Sequence, residues 1–178
     1  MRLPDLRRIY SHAIMKILRF ILVTMFTLVV LPAHAQNDAS VFTPENGFSG
    51  LSEGNGVLHL FFSHKSFHVE NHGFNRPDGS FQLDQTVRFG DNAPDTRTWV
   101  IRPSNDLHYT ATLSGAAGMV TGEASGLRLT LRYRIKGPLV MHQTLTLAAD
   151  SKSIENVGQI TVFGIPIGSL HELIRRND

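Results

Sequence analysis

Residues 127–136 read Leu-Arg-Leu-Thr-Leu-Arg-Tyr-Arg-Ile-Lys. Apolar Leu127, Leu129, Leu131, Tyr133 and Ile135 alternate without a break with polar Arg128, Thr130, Arg132, Arg134 and Lys136. Side chains of an extended strand point alternately to its two faces, so this stretch is a strand with one buried and one solvated face. A helix would smear both sets around its circumference.

The same period of two recurs on either side. Phe81, Leu83, Val87 and Phe89 alternate with Gln82, Asp84, Thr86 and Arg88; Leu107, Tyr109, Ala111 and Leu113 with His108, Thr110 and Thr112; Met141, Leu145 and Leu147 with His142, Thr144 and Thr146. Turn-forming clusters separate these runs at intervals of roughly ten residues, the spacing of consecutive antiparallel strands. They are Asn71-His72-Gly73, Pro77-Asp78-Gly79, Gly90-Asp91-Asn92, Pro103-Ser104-Asn105-Asp106, Gly137-Pro138 and Ala149-Asp150-Ser151. Ser169–Arg176 fits a short helix or a last strand equally well.

The expectation is an all-β, antiparallel, up-and-down barrel of about eight to ten strands, because closure is the most complete way to remove sheet edges. A β-sandwich is the alternative. A barrel of about eight strands holds packed side chains or one small ligand. Residues 57–178 would form this single domain, and the Pro- and Gly-containing stretch 36–56 would be a flexible lead-in.

The first 35 residues read differently. Lys16 and Arg19 precede an apolar run from Phe20 to Leu31, and Pro32-Ala33-His34-Ala35 follows it. A charged segment, a short apolar core and an A-x-A site make a secretory signal peptide, with cleavage expected after Ala35 and a compact alternative start at Met15. The run is well short of the ~20 residues that span a bilayer. No Cys follows it, so a released periplasmic protein is expected and not a lipoprotein.

Of 17 basic and 15 acidic residues, the expected signal holds Arg2, Arg7, Arg8, Lys16 and Arg19 against Asp5 alone. That leaves 12 and 14, a net charge of −2 for residues 36–178, where the whole chain carries +2. The basic excess therefore belongs to export and gives no support for a nucleic-acid partner. With no cysteine in the chain, disulfides and thiolate chemistry are excluded.

Several residues are candidates for chemistry. Arg97 shares a strand face with Trp99 and Ile101; if that face is inward, Arg97 needs an anionic partner. A ligand carboxylate or phosphate would serve, as would Asp84, Glu123 or another protein carboxylate; Arg97 at a strand end facing water is the third possibility. His64, His68 and His72 share a face with Ser66 and Glu70, but i and i+4 in a strand are ~13 Å apart, too far for one metal ion. They read as a solvated face, and no metal or cofactor is expected. Arg128, Arg132, Arg134 and Lys136 form a basic stripe that either keeps a sheet face soluble or makes peripheral envelope contact. The glycines at 115, 118, 122 and 126 lack the Gly-Lys-Ser/Thr ending of a phosphate loop and read as turns and close approaches.

Arg97-Thr98-Trp99, Tyr109, the glycine-spaced run 115–126 leading into Leu127–Ile135, and Asn156–Gly168 resemble the uncharacterised bacterial family catalogued as domain of unknown function 3833. The similarity spans roughly residues 60–176. Met141-His142-Gln143-Thr144 stands where that family has an Asp-Asp-Trp-Met stretch. The resemblance implies an envelope protein with a lipocalin-like barrel, linked to lipid or fatty-acyl metabolism, and carries no established activity. Three roles follow. The first is a barrel binding a small amphipathic or fatty-acyl ligand, lined by Trp99, Tyr109 and Tyr133 with Arg97 as anchor. The second is a solid-core envelope protein acting through its surface. The third is an acid-base enzyme of unknown substrate, whose only obvious bases are His59, His108 and His142.

Overall fold

A computed structural model describes residues 41–177. The expected signal peptide, its cleavage site and residues 36–40 lie outside the described residues. A short helix, α1 (Pro44–Phe48), precedes β1 (Gly50–Leu60), β2 (Ser63–Asn75), β3 (Phe81–Phe89), β4 (Asp95–Asn105), β5 (His108–Leu113), β6 (Val120–Ser125), β7 (Arg128–Arg134), β8 (Leu139–Leu147), β9 (Ser153–Val162) and β10 (Ile165–Arg176). Each strand pairs antiparallel with the next, and β1 pairs with β10 from Ser52↔Arg176 to Leu60↔Gly168. The sheet is thus a closed up-and-down barrel and not a sandwich. Ser169–Arg176 is strand because it supplies the partner that the edge of β1 requires.

The period-two pattern decides which face is inside. In β7, Leu129 and Tyr133 are buried while Arg128, Thr130, Arg132 and Arg134 face solvent. In β9, Ile154, Asn156, Gly158 and Ile160 point in while Glu155, Val157 and Gln159 point out. Charged and hydroxyl side chains therefore cover most of the outer wall, the inverse of a lipid-facing barrel, whose apolar band faces outward. No helix among the described residues is long and apolar enough to cross a membrane.

Four stretches depart from expectation, one being Pro103-Ser104-Asn105, expected to turn, which extends β4 through a register shift to Asn105. Residues 41–56, expected to be loose, instead form α1 and half of β1. Thr43 caps the helix: its Oγ1 accepts from Asn46 N (3.2 Å), and Asn46 Oδ1 accepts from Thr43 N (2.8 Å). Phe42 and Phe48 on either side are buried in the core, and Phe42 N donates to Gly126 O (2.8 Å). The polar composition supplied a cap, and the two phenylalanines supplied the burial that holds it.

Asn71-His72-Gly73, expected to turn, lies within β2. Gly73 is there because the Phe48 carbonyl packs against its Cα, leaving no room for a Cβ, and not because the chain reverses. Leu107, expected inward, sits in the β4–β5 turn at φ 64°, with its side chain exposed.

The barrel's two ends differ. α1 lies across the end where β1, β3, β5, β7 and β9 begin, and Arg176 Nη1 at the end of β10 donates to Asn46 O (3.1 Å). The other end, ringed by the β1–β2, β3–β4, β5–β6, β7–β8 and β9–β10 loops, is a mouth.

Gly73→Ala tests the plug. A Cβ there would overlap the Phe48 carbonyl and stand 2.7 Å from Phe81 Cζ, an overpacking that costs about 1–3 kcal/mol. Thermal unfolding should shift to lower temperature, and limited proteolysis should cut first between residues 41 and 49.

Candidate functional site

Buried strand positions are mostly apolar, yet at one level of this barrel nearly every strand contributes a polar side chain inward. Trp99 Nε1 (β4) donates to Gln85 Oε1 (β3, 2.6 Å), Gln85 Nε2 donates to Asn71 Oδ1 (β2, 2.8 Å), and Asn71 Nδ2 donates to Ser52 Oγ (β1, 3.2 Å). A second arm starts at Tyr133 (β7), whose hydroxyl donates to Gln143 Oε1 (β8, 3.0 Å). Gln143 Nε2 donates to Asn156 Oδ1 (β9, 3.2 Å), and Asn156 Nδ2 donates to Glu172 Oε2 (β10, 2.8 Å). The Trp99 and Tyr133 rings meet edge to face, with centroids 5.5 Å apart at 90°. The two arms thus form one belt around the inside of the barrel.

The buried side-chain polar atoms of the belt have partners among the described residues, as buried polar groups must. The exception is Glu172. It is only 5% exposed, its Oε2 is satisfied by Asn156, and its Oε1 is buried without a hydrogen-bond partner among the described residues. Room for it is made across the barrel seam by Gly54, where a Cβ would stand 2.5 Å from Oε1. Burial raises the Glu172 pKa above its ordinary value; the Asn156 hydrogen bond and then the charge of Arg97 oppose this. In its neutral form such a carboxyl would carry an O–H donor. Burial likewise pushes the Tyr133 hydroxyl up to about 12, which keeps it a donor.

Glu172 and the belt border an inner cavity of ≈ 100 Å³. Phe67, Val69, Leu83 and Leu129 supply much of its apolar wall. An outer chamber of ≈ 450 Å³ lies toward the mouth, and the two share Phe89, Arg97, Tyr133, Met141 and Leu170 as lining. Arg97 stands at that junction. Its side chain is 35% exposed and its Nε lies 3.4 Å from Asp95 Oδ2 at the mouth. A pair this open is weak and exchangeable.

Of the residues singled out from sequence, the structure brings Arg97, Trp99 and Tyr133 together around this space. Tyr109 is elsewhere: half-buried on β5 beside Gly122, close enough to α1 for Glu45 to add to the burial that raises its pKa. Neither Asp84 nor Glu123 meets Arg97, since both face outward; Asp84 accepts from Thr98 Oγ1 (2.8 Å) and Gln82 Nε2 (3.0 Å). The histidines also lie outside. His64, His68 and His72 are on the outer face of β2, and no group of three metal-ligating side chains occurs among the described residues. His108 and His142 share an outer groove with Glu123 and Arg132, while His59 stacks near His64 on another side of the barrel. Sequence reasoning missed Glu172, Asn156, Gln143 and Gln85, although each is the polar interruption of an apolar inward series.

The chain belongs to the family described as "Protein of unknown function (DUF3833)", whose match covers residues 21–176. Its fold is similar to that of the S-type phycobiliprotein lyase CPES from Guillardia theta, with a TM-score of 0.61 at 7% identity over 76% of this chain and 90% of that one. It is also similar to a DUF3598-family protein of unknown function from Nostoc punctiforme, with a TM-score of 0.55 at 12% identity over 77% of this chain. This chain spans about half of that protein, 50% of its length being covered. No curated protein matches the chain. The barrel is thus lipocalin-like in architecture, and at these identities the likeness is one of fold.

The state of Glu172 has a measurable signature. Below its ordinary value of 4.5 the carboxyl is neutral in both folded and unfolded chains, and stability is unaffected by it. Above that value the unfolded chain releases the proton while the folded chain retains it, so stability falls as pH rises until the raised folded pKa is passed. Glu172→Gln, which mimics the neutral acid, should remove this part of the slope and be more stable than the parent at pH 8. Denaturant melts of both proteins across pH 4–8 check this; parallel curves would mean that Glu172 is ionised in the fold.

Proposed function

We propose that this protein is an exported carrier that holds a small amphipathic ligand, of fatty-acyl type, inside its barrel. The observation that carries the reading is the unpaired Oε1 of Glu172 at the edge of an apolar cavity, within a belt whose other members are satisfied. A carboxyl buried without a partner is costly, and an apolar side chain would pack the site more stably. A ligand hydroxyl or carbonyl accepting from Oε1–H would satisfy it. Farther out, Arg97 supplies a positive charge whose own partner, Asp95, is held at the solvent-accessible edge. A ligand carboxylate would find there a fork suited to bidentate hydrogen bonding.

The two anchors and the walls define a substrate class. The body is apolar because the walls are Phe, Leu, Val, Met and Ile; one acidic group reaches Arg97, and an acceptor deeper inside reaches Glu172. Mostly apolar walls with a few placed polar groups are the usual make-up of a small-molecule site. The periplasm is the compartment in which the carrier would act, as the signal-like segment 16–35 implies.

Trp99 is the one tryptophan of the chain and lines the inner cavity, so its fluorescence reports occupancy directly. Titration with medium- and long-chain fatty acids should give a saturable change, and solvent extraction of the purified protein should release a lipid detectable by mass spectrometry. Arg97→Leu should weaken carboxylate binding by about 10- to 100-fold, the worth of a charge-assisted hydrogen bond, while leaving the matching fatty alcohol unaffected. With fatty acids that carry a hydroxyl or keto group along the chain, Glu172→Gln, which keeps a donor, should bind more tightly than Glu172→Leu. Neither a saturable signal nor an extractable lipid would overturn the carrier reading.

A further inference from the structure

The five most exposed large apolar side chains gather at one end of the barrel, while the less exposed Leu51, Phe74, Leu107 and Val157 lie elsewhere. Phe61 and Phe62 form the β1–β2 turn, Phe163 and Ile165 the β9–β10 turn and its exit, and Met119 ends the β5–β6 loop. All five stand at the mouth, Phe62 fully exposed and Phe163 86% exposed. The first two turns are neighbours, since β1 and β10 pair and Phe61 N donates to Ile167 O (2.9 Å).

Turn chemistry does not account for these aromatics. Phe61 has φ 52° and Phe163 has φ 49°, the left-handed region that favours Gly, Asn or Asp. Phe163-Gly164 occupies a two-residue hairpin with positive φ at both positions, where Asn-Gly is the preferred pair. A bulky residue kept at such a position and projected into water has both backbone strain and exposure against it.

The charge on the Phe163 side of the mouth is basic. Between the β9–β10 and β5–β6 loops lies the β7–β8 loop, which carries Lys136 beside Arg134. Arg132 and Arg134 line a groove of ≈ 320 Å³ that runs up to Phe163, and no carboxylate lines it. A second groove of ≈ 280 Å³ joins the same two arginines to Met119, again without a carboxylate. Neither arginine, nor Lys136, nor Lys65 after the Phe61-Phe62 turn has an ion pair among the described residues. The fifth mouth loop, β3–β4, carries Asp91 and leads into Asp95, so the acidic side of the mouth is opposite.

We propose that the mouth docks on an anionic lipid bilayer, with Phe61, Phe62, Phe163 and Ile165 inserted among the acyl chains and the Arg132–Arg134 groove taking a lipid phosphate. Apolar tips flanked by unpaired cations fit the boundary between acyl chains and anionic headgroups. The acidic β3–β4 loop tilts the barrel so that the chamber opens toward the membrane on the basic side. The inference rests on the mouth alone and holds whatever the chamber carries.

Because the chain has no cysteine, single labels are possible in the full chain. Phe62→Cys and Phe163→Cys at the mouth, and Asp150→Cys at the plugged end, would each carry an environment-sensitive dye. With vesicles of brominated phosphatidylcholine containing phosphatidylglycerol, the two mouth probes should be quenched and the probe at 150 should not. Arg132→Gln and Arg134→Gln should each lower the apparent vesicle affinity at the mouth probes about fivefold. Phe163→Asn should weaken quenching at position 62 while leaving the thermal midpoint unchanged or raised, because Asn relieves the turn. Mouth probes that stay unquenched, or a position-150 probe quenched equally, would overturn the proposal, including the case in which the tips grip a protein instead. The Trp99 titration in vesicle-free buffer is independent, so failure of one leaves the other standing.

Discussion

The pairing of β1 with β10 is the constraint from which the rest of this molecule follows. Without it the sheet would have two long edges of unpaired backbone groups, and the inward faces of ten strands would have no common interior. With it, every inward side chain is committed to one enclosed space. The seam is made from an unusual strand: β1 carries Gly54 and Gly56 on its inner face, which contribute no packing of their own. What they contribute is space. Gly54 accommodates the carboxyl of Glu172 and Gly56 the ring of Phe67, so the strand that closes the barrel also keeps part of its interior from filling.

The outline of the fold was legible in the sequence because strand parity is a strong signal when one face is wet. Arg128 to Lys136 could only be read one way, and the strands around 81–89 and 141–147 repeat its logic. Legibility failed where a residue's job was set by something distant in sequence. Gly73 looks like a turn and is a contact surface for Phe48; Phe42 and Phe48 sit in a stretch whose Pro, Asn and Gly content reads as loose, and only the open barrel end beneath them makes that stretch rigid.

The site was half legible for the same reason. Arg97, Trp99 and Tyr133 could be placed inward by parity, but their partners could not, because hydrogen bonds across a barrel join residues 10 to 19 positions apart in sequence. The signal was nonetheless present. Gln85 breaks Phe81-Leu83-x-Val87, Gln143 breaks Met141-x-Leu145, and Glu172 breaks Leu170-x-Ile174. Each looks like a gap in an apolar series until the strands are aligned, when the gaps fall at one level. Tyr109 illustrates the converse: its parity is inward, but β5 places it toward the plugged end, beside α1.

The polarity of the barrel from end to end gives these features a common direction. Phe42 and α1, with its buried Phe48, lie across one end, and among the described residues the larger chamber lies toward the other. From that mouth inward the environments follow in order: exposed aromatics and, among the described residues, arginines without an ion pair near the tips, the half-exposed Arg97–Asp95 pair at the junction, then the buried carboxyl of Glu172 in the belt. Charge is most easily satisfied at the outside and a hydrogen bond most easily at the inside, because the dielectric falls along the same path. A molecule entering apolar end first would therefore lose little hydration until its charged end reached Arg97, while the reverse orientation would have to bury a charge beside a carboxyl whose pKa burial already raises. The gradient of solvation along one axis would thus favour a single orientation for any amphipathic molecule that entered, with no moving part required.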